Sequence, residues 1–396
     1  MMRSPFRFRR GLRIRPSYLV LLTALPFVIY LFATVGSYQR ALSFIAPGLG
    51  ITLLVAVLGY LVASMLGLAL AGLLLLKLGR RTLLLFGLAA LVLAGFSAFF
   101  FTRPPVDYSL IGEPTGRVAI IRGTPARLSE IIRTGTFVPE GEPTPLAVRA
   151  VDSPEAALER RLAGQVNAAF LPTALVPADQ PVLWQVRFLP DSARNPALVL
   201  LVLALLVTLL TLGAWYSSHH PLAIFAELYI DIMRGIPMLV IILYVGFPLQ
   251  AAIREASGGL INMSLLTRGV VGLSLGYAAY LAEIFRAGIE AVPKGQIEAA
   301  RSLGLSGWQT ARFVVLPQAL RIVMPPLGNE FIAMLKDTSL LSVLAIRDIT
   351  QRTREFSAAT FEVFPSFNTV AILYIGLTLA ASSFLKWLER RTKRGL

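Results

Sequence analysis

Long apolar blocks separated by short polar segments make up most of this 396-residue chain. A helix needs about 20 residues to cross roughly 30 Å of hydrocarbon. The pattern predicts about eight spans, near 18–35, 49–76, 82–101, 197–215, 235–253, 268–288, 318–336 and 367–388. One long segment, 102–196, breaks the rhythm: it is polar and Pro-rich, and its 10 Arg are balanced by 10 Asp plus Glu. Within it, "GRVAIIRGTPARLSEII" predicts an apolar strand, a Gly-Thr-Pro turn and a helix start. Further on, "LAVRAVDSPEAALERRLAGQVNAAFLP" predicts a strand, a helix capped by Asp152 or Ser153 with Glu155 in its first turn, and another short strand. The expectation is a small folded α/β domain between membrane spans.

Composition agrees with a membrane protein. Hydrophobic residues are 56% of the chain and charged residues 15%, with a mean hydropathy of +0.69, which excludes an ordinary soluble globular domain. The opening "MMRSPFRFRRGLRIRPS" is too basic, and its following apolar run too long, for a cleaved signal peptide. It reads as a retained cytoplasmic tail. Basic residues set the orientation: Arg3, Arg7, Arg9, Arg10, Arg13 and Arg15 precede the first span, and Lys386, Arg390, Arg391, Lys393 and Arg394 follow the last. Both termini are thereby expected in the cytoplasm of a multi-pass inner (plasma) membrane protein, with Lys77, Arg80 and Arg81 inside and 102–196 outside. The net charge of +15 sits largely beside spans, where anionic lipid headgroups attract it, so membrane lipid and not nucleic acid is the expected partner. There is no cysteine, and the only histidines, His219 and His220, are adjacent and do not share a helix face. No metal site is expected.

Residues 298–318, "EAARSLGLSGWQTARFVVLPQ", form a polar, Gly-punctuated stretch on the cytoplasmic side of this topology. The spacing predicts a helix from about Gln296 to Leu303 that stops at Gly304. A second helix starts near Ser306, an N-cap, and leads toward Pro317. Such an elbow, with Ala299, Ala300, Leu303 and Trp308 on its surface, suits insertion into a partner's groove.

The stretch resembles the EAA loop of ABC-transporter permeases, with Glu298, Ala299, Ala300, Gly304, Leu316 and Pro317 at the motif positions. The blocks "YIDIMRGIPML", "YLAEIFRAGIEAVPKGQIEAA", "LPQALRIVMPPLGNEFI" and "LKDTSLLSVL" resemble successive segments of the polar amino-acid uptake branch, and "GLGITLLVAVLGYLVASMLGLALAGLL" resembles its first permease helix. The resemblance implies an all-α integral membrane protein with a type I ABC importer permease core and a small α/β extracytoplasmic insertion. It divides the chain into 1–47, a basic cytoplasmic tail and an extra span; 48–79, the first core helix; 80–215, an insertion of two spans flanking the external domain 102–196; 216–388, the core with its EAA loop at 290–317; and a basic tail at 389–396. The two added spans preserve parity, so the coupling loop stays cytoplasmic. "DSPEAALERRLAGQVNAAFLP" loosely resembles one lobe of a periplasmic binding protein, and one lobe is expected to dock a separate binding protein or cap the permease without capturing substrate.

No G-x-x-x-x-G-K-[ST] phosphate loop occurs. The chain is expected to be no enzyme and to carry no cofactor; the resemblance implies separate ABC ATPase subunits that bind ATP and Mg, a second permease subunit of the same or a homologous chain, and an external amino-acid-binding protein. Glu283 and Arg286, three apart on one helix face, can pair, and with Glu330, Lys336 and Asp337 they are the translocation or gating candidates, because charges in a membrane mark pathways or interior pairs. Thr338 and Ser339 are expected to cap a short external helix through Leu344, which in the family lies near the external gate. Arg234-Gly235-Ile236-Pro237 opens a span. A permease for another small polar solute, such as an opine or organic anion, is the alternative. A membrane-anchored ligand sensor is the alternative of another class, and it would need a cytoplasmic output domain for which no cytoplasmic segment is long enough.

Overall fold

The computed structural model describes residues 16–113, 115–122, 124–137, 145–177, 180–189 and 191–394; the basic residues Arg3 to Arg15 lie outside the described residues. In chain order the helices begin with α1 (Pro16–Thr34), α2 (Gly36–Ile45), α3 (Gly48–Leu74) and α4 (Arg80–Phe101). A sheet segment follows, with β1 (Val106–Gly112), β2 (Arg117–Ile121), α5 (Ala126–Thr134), β3 (Ala147–Val151), α6 (Pro154–Leu162), β4 (Ala168–Pro172) and β5 (Val182–Phe188). The chain then returns to helix in α7 (Asp191–Ser217), α8 (Pro221–Gly235), α9 (Met238–Tyr244), α10 (Gln250–Ala256) and α11 (Leu265–Glu290). It ends with α12 (Lys294–Ser302), α13 (Gly307–Thr310), α14 (Leu316–Asp337), α15 (Ile349–Thr360) and α16 (Val363–Arg394). These elements form two units, residues 78–221 and the remainder of the chain.

Among the described residues, six helical stretches are long and apolar enough to cross a membrane: Gly36–Leu74, Arg80–Phe101, Ala193–Ser217, Met238–Ala256, Leu265–Glu290 and Val363–Leu388. One of the eight spans expected from sequence differs: helix α14 has 22 residues, but Arg321, Glu330, Lys336 and Asp337 dilute its apolar character. The first expected span falls in α1 (Pro16–Thr34), of which Leu25–Thr34 carries the described side chains.

In the larger unit, α3 packs along α11 through a row of small or short side chains, and Thr52, Ala56, Gly59, Ala63, Gly67 and Ala71 are all buried. Hydrocarbon supplies no hydrophobic drive between helices, so close backbone contact and hydrogen bonds hold them. The Ser274 hydroxyl reaches the carbonyls of Gly59 and Val270 at 3.1 and 2.6 Å. At Gly67 a Cβ would stand 2.9 Å from Leu281 Cβ and 3.0 Å from the Ala278 oxygen and Ala282 nitrogen. Only glycine permits that approach. At the other end of α3, the Thr52 hydroxyl accepts from the Ile349 amide at 3.4 Å, and buried Asp348 caps α15 by accepting from Gln351 at 2.8 Å. Burial pushes the Asp348 carboxyl up to about 6, against hydrogen bonds from Gln351 and Thr350.

The second unit joins a helical hairpin to a sheet. Helices α4 and α7 meet along Ala90, Ser97, Ala197, Ala204 and Ala214, all buried, and the Ser97 hydroxyl donates to the Ala197 carbonyl at 2.8 Å. The sheet order is β3-β2-β4-β1-β5, with β2 parallel to β3 and β4 and β1 antiparallel to β4 and β5. Both faces are covered. Leu110, Val118, Ile120 and Phe170 pack with Leu128 and Ile132 of α5, while Ile111, Ala119, Ala169 and Leu171 pack with Ala157 of α6, which is why β4 reads as a continuous apolar run. Of the two candidate caps for α6, Ser153 makes the bond, accepting from the Ala156 amide at 3.2 Å.

Two outcomes test this packing. Gly67→Ala should lower thermal stability in detergent by about 1–3 kcal/mol through overpacking. Gly72→Ala, where a Cβ meets nothing within 4 Å, should be neutral or stabilising by up to about 1 kcal/mol. Equal melting temperatures for the two variants would contradict the seam. For Asp348 the folded pKa lies above the unfolded value of 3.8, so its contribution is fully present below about 3.8 and is lost as pH rises through about 6. Asp348→Asn keeps a capping oxygen and should flatten the fall in melting temperature between about pH 4 and 6.

Candidate functional site

The elbow at 294–316 is built by two different caps. Helix α12 ends at Gly304, whose φ of +80° is the left-handed conformation that glycine adopts without steric cost. The Leu305 amide donates to the Ala300 carbonyl at 3.2 Å and the Gly304 amide to that of Arg301 at 2.9 Å, the paired bonds of a Schellman ending. Two residues later Ser306 starts α13 in a reciprocal capping box with Gln309, the bonds being 3.3 and 2.8 Å. The second helix does not stop before Pro317. A π-helical turn at Ala311–Val315 carries the chain directly into α14, where Pro317 occupies the first turn and, lacking an N–H, interrupts the hydrogen-bond ladder just after the π-helical turn. The Gln318 amide nitrogen donates to the Gln296 side-chain oxygen, tying the two arms together.

Side-chain exposure separates the motif residues. Leu303 is 82% and Trp308 73% exposed, and Glu298 and Ala299 are exposed with them. Ala300, expected on the surface, is only 4% exposed: the face of α12 that carries it turns inward, and its carbonyl serves the Schellman bond. Leu316 is exposed and Pro317 half-buried. Phe313, 63% exposed, extends the apolar surface and was not singled out from sequence because it falls within an apolar run.

The intramembrane charges fall into two groups. Near the end of α11, Arg286 bonds Glu283 at 2.7 Å and also Glu290 at 3.2 Å, so the expected pair is a triad; Glu283 and Arg286 are 33% and 35% exposed. About nine residues, or roughly 14 Å, nearer the start of that helix, the Tyr277 hydroxyl donates to Asp337 at 2.8 Å. Tyr277 is buried in the main core cluster, and its partner lies 60 residues away in sequence, so no local signal marked it. Glu330 is half-buried and Lys336 exposed. Arg234 ends α8 with its guanidinium 5.8 Å from the centre of the Tyr280 ring, and Gly235 and Pro237 fall at the α8–α9 break. Thr338 and Ser339 do not cap the turn after α14. The Thr338 hydroxyl donates back to the Leu335 carbonyl at 2.7 Å, because α14 runs without a break into a 3-10 turn at Thr338–Leu344 and leaves no free helix start to cap.

Among the described residues no group of His, Asp and Glu could hold a metal ion. Residues 201–394 match the family described as binding-protein-dependent transport system inner membrane component. Glutamine transport system permease protein GlnP of Escherichia coli K12 is 37% identical over 183 residues, 46% of this chain and 79% of the relative. Probable amino-acid ABC transporter permease protein YckA of Bacillus subtilis is 40% identical over 42% of this chain and 70% of its own length. Histidine/lysine/arginine/ornithine transport system permease protein HisQ of Salmonella typhimurium is 33% identical over 50% and 90%. With four-fifths of a curated permease matched at this identity, the chain belongs to the family of binding-protein-dependent transport system inner membrane components, the non-enzymatic membrane subunits of ABC transporters.

Proposed function

We propose that the chain is the permease subunit of an ATP-driven importer of polar amino acids and that its elbow at 294–316 couples it to separate ATPase subunits. Three relatives whose names specify glutamine, histidine/lysine/arginine/ornithine, or amino acids support the substrate class. The observation that carries the coupling role is the elbow: a helix with a left-handed glycine ending and a capping-boxed restart, presenting exposed Leu303 and Trp308 and continuous with α14. Burying each of these side chains in a partner groove contributes about 1.5–3 kcal/mol, enough to hold the contact. The continuous helix from Gly307 through Asp337 then carries movement of the ATPases to the charged positions Glu330, Lys336 and Asp337. ATP and Mg belong to those partners, a second permease subunit completes the path, and an external binding protein delivers substrate. The sheet domain of the insertion docks that protein or caps the permease.

Uptake of labelled amino acids by the reconstituted complex tests the substrate class, and absence of uptake for any of them would reject it. For coupling, Gly304→Asp strains a left-handed position by about 1 kcal/mol and sets a carboxylate at a helix C-terminus, while Glu298→Lys reverses an exposed charge. Each should leave membrane insertion intact and weaken ATPase co-purification or substrate-stimulated hydrolysis by about tenfold. Wild-type behaviour of both variants would remove the coupling assignment.

The Arg286 triad makes a further test. Arg286→Gln leaves Glu283 and Glu290 facing each other and should slow transport more than Glu283→Gln, after which Arg286 keeps Glu290. The double variant should recover part of the loss, with a coupling of about 0.5–1 kcal/mol at this half-exposed site. Additive rates would speak against the pair.

A further inference from the structure

The permease unit contains a cavity of about 730 Å³ between the end of α10 and the start of α11, lined by Gln250, Arg254, Glu255, Asn262 and Arg268 among others. Its volume lies within the range of small-molecule sites, and its lining is unlike the surrounding apolar surface. Arg268 is fixed by two backbone bonds, Nε donating to the Met263 carbonyl at 2.9 Å and Nη1 to that of Gly246 at 3.0 Å. Those bonds immobilise the guanidinium and leave its Nη2 as a free donor among the described residues. Gln250 is 3% exposed, and its Nε2 donates to the Asn262 side-chain oxygen at 3.2 Å. The Gln250 Oε1 is buried with no partner among the described residues and does not face the cavity, so the part of Gln250 is to hold Asn262 in the wall. Arg254 and Glu255, neither in an ion pair among the described residues, stand exposed at the rim.

Fixed guanidinium donors suit a carboxylate, and an acidic rim residue suits an ammonium. Both needs are met by one small zwitterion. The cavity also neighbours the segment after α14: its Arg268 bonds the Gly246 carbonyl, a Cβ on Gly246 would stand 2.5 Å from Leu344, and the 3-10 turn that carries Leu344 continues α14. Occupancy of the cavity therefore bears on the element that links to the elbow.

We infer that this cavity is a staging site for a free α-amino acid at the external mouth of the permease, occupied after release from the binding protein and before entry to the path between subunits. Arg268 and Arg254 hold the carboxylate, and Glu255 receives the ammonium. This rests on the proposed importer function and on its orientation, which sets the α10–α11 connection outside.

The absence of cysteine makes a clean test possible. Ala251 lines the cavity and is exposed. In cells carrying the complete transporter with Ala251→Cys, a membrane-impermeant maleimide should label the thiol, and L-glutamine or L-arginine at about ten times its Kd should slow labelling about tenfold by mass action. Arg254→Gln and Glu255→Gln, each checked for wild-type melting temperature, should weaken that protection. Labelling only after permeabilisation, no labelling at all, no protection by either amino acid, or equal protection by acetate or inorganic phosphate would each overturn the site. Uptake assays on the same cells separate the two levels: intact uptake without protection rejects the staging site alone, whereas absence of amino-acid uptake by the unaltered transporter rejects the importer reading beneath it.

Discussion

The permease unit depends on how closely the backbones of α3 and α11 can approach. Gly67 admits Leu281, Ala278 and Ala282 at distances that exclude any Cβ, and the Ser274 hydroxyl bridges to Gly59 across the same seam. In hydrocarbon such packing replaces the hydrophobic drive that water supplies elsewhere. With one face of α11 clamped to α3, its other positions are set: Tyr277 reaches Asp337 on α14, Arg286 gathers Glu283 and Glu290, and Arg268 is held against the Gly246 carbonyl. One helix thus fixes the charge triad, the contact to α14 and the wall of the polar cavity.

A second constraint runs along α14. Its start is continuous with the capping-boxed α13 through a π-helical turn, and its end passes into a 3-10 turn without a break. A helix joined in this way carries displacement along its length, with breaks in its hydrogen-bond ladder at Pro317, Pro325 and Pro326. The elbow and the segment beside the cavity are therefore two ends of one mechanical element, and both lie in the stretch matched by the family model. Asp348, just beyond, anchors the far end through its cap on α15 and its proximity to Gly48, where a Cβ would stand 2.7 Å from the Asp348 carbonyl carbon.

The sheet-bearing unit at 78–221 solves a separate problem. A five-stranded sheet with helices on both faces buries its apolar strands without lipid, and the balance of Arg with acidic residues keeps its outer surface water-compatible. Strand β1 lies between β4 and β5, with β5 on an edge, so the segments that leave α4 and enter α7 are stitched into the sheet. An exposed pair between Arg187 and Asp107 joins those two strands at 2.7 Å, and the Arg187 guanidinium holds the Asp107 carboxyl below its usual range.

Period and composition alone made the membrane class, most spans, the α/β character of the insertion and the Gly304 and Ser306 caps legible, because each depends on residues within a few positions of one another. The family resemblance rested on a similar local order of motifs. Strands β1 and β5 were not assigned, since a short strand next to a membrane helix has too few alternating positions to stand out, and their pairing partners are distant. The inward turn of Ala300, the third member of the Arg286 triad, the continuity of α13 with α14 and the contact of Tyr277 with Asp337 belong to tertiary structure. So does the cavity holding Gln250 and Arg268. The sequence by itself determined most helices, the middle strands and the caps that stop them, because caps, glycines and apolar period act locally; the tertiary structure decided which polar groups meet, because those contacts join residues as distant as Thr52 and Ile349, 297 positions apart, through backbones that must first pack.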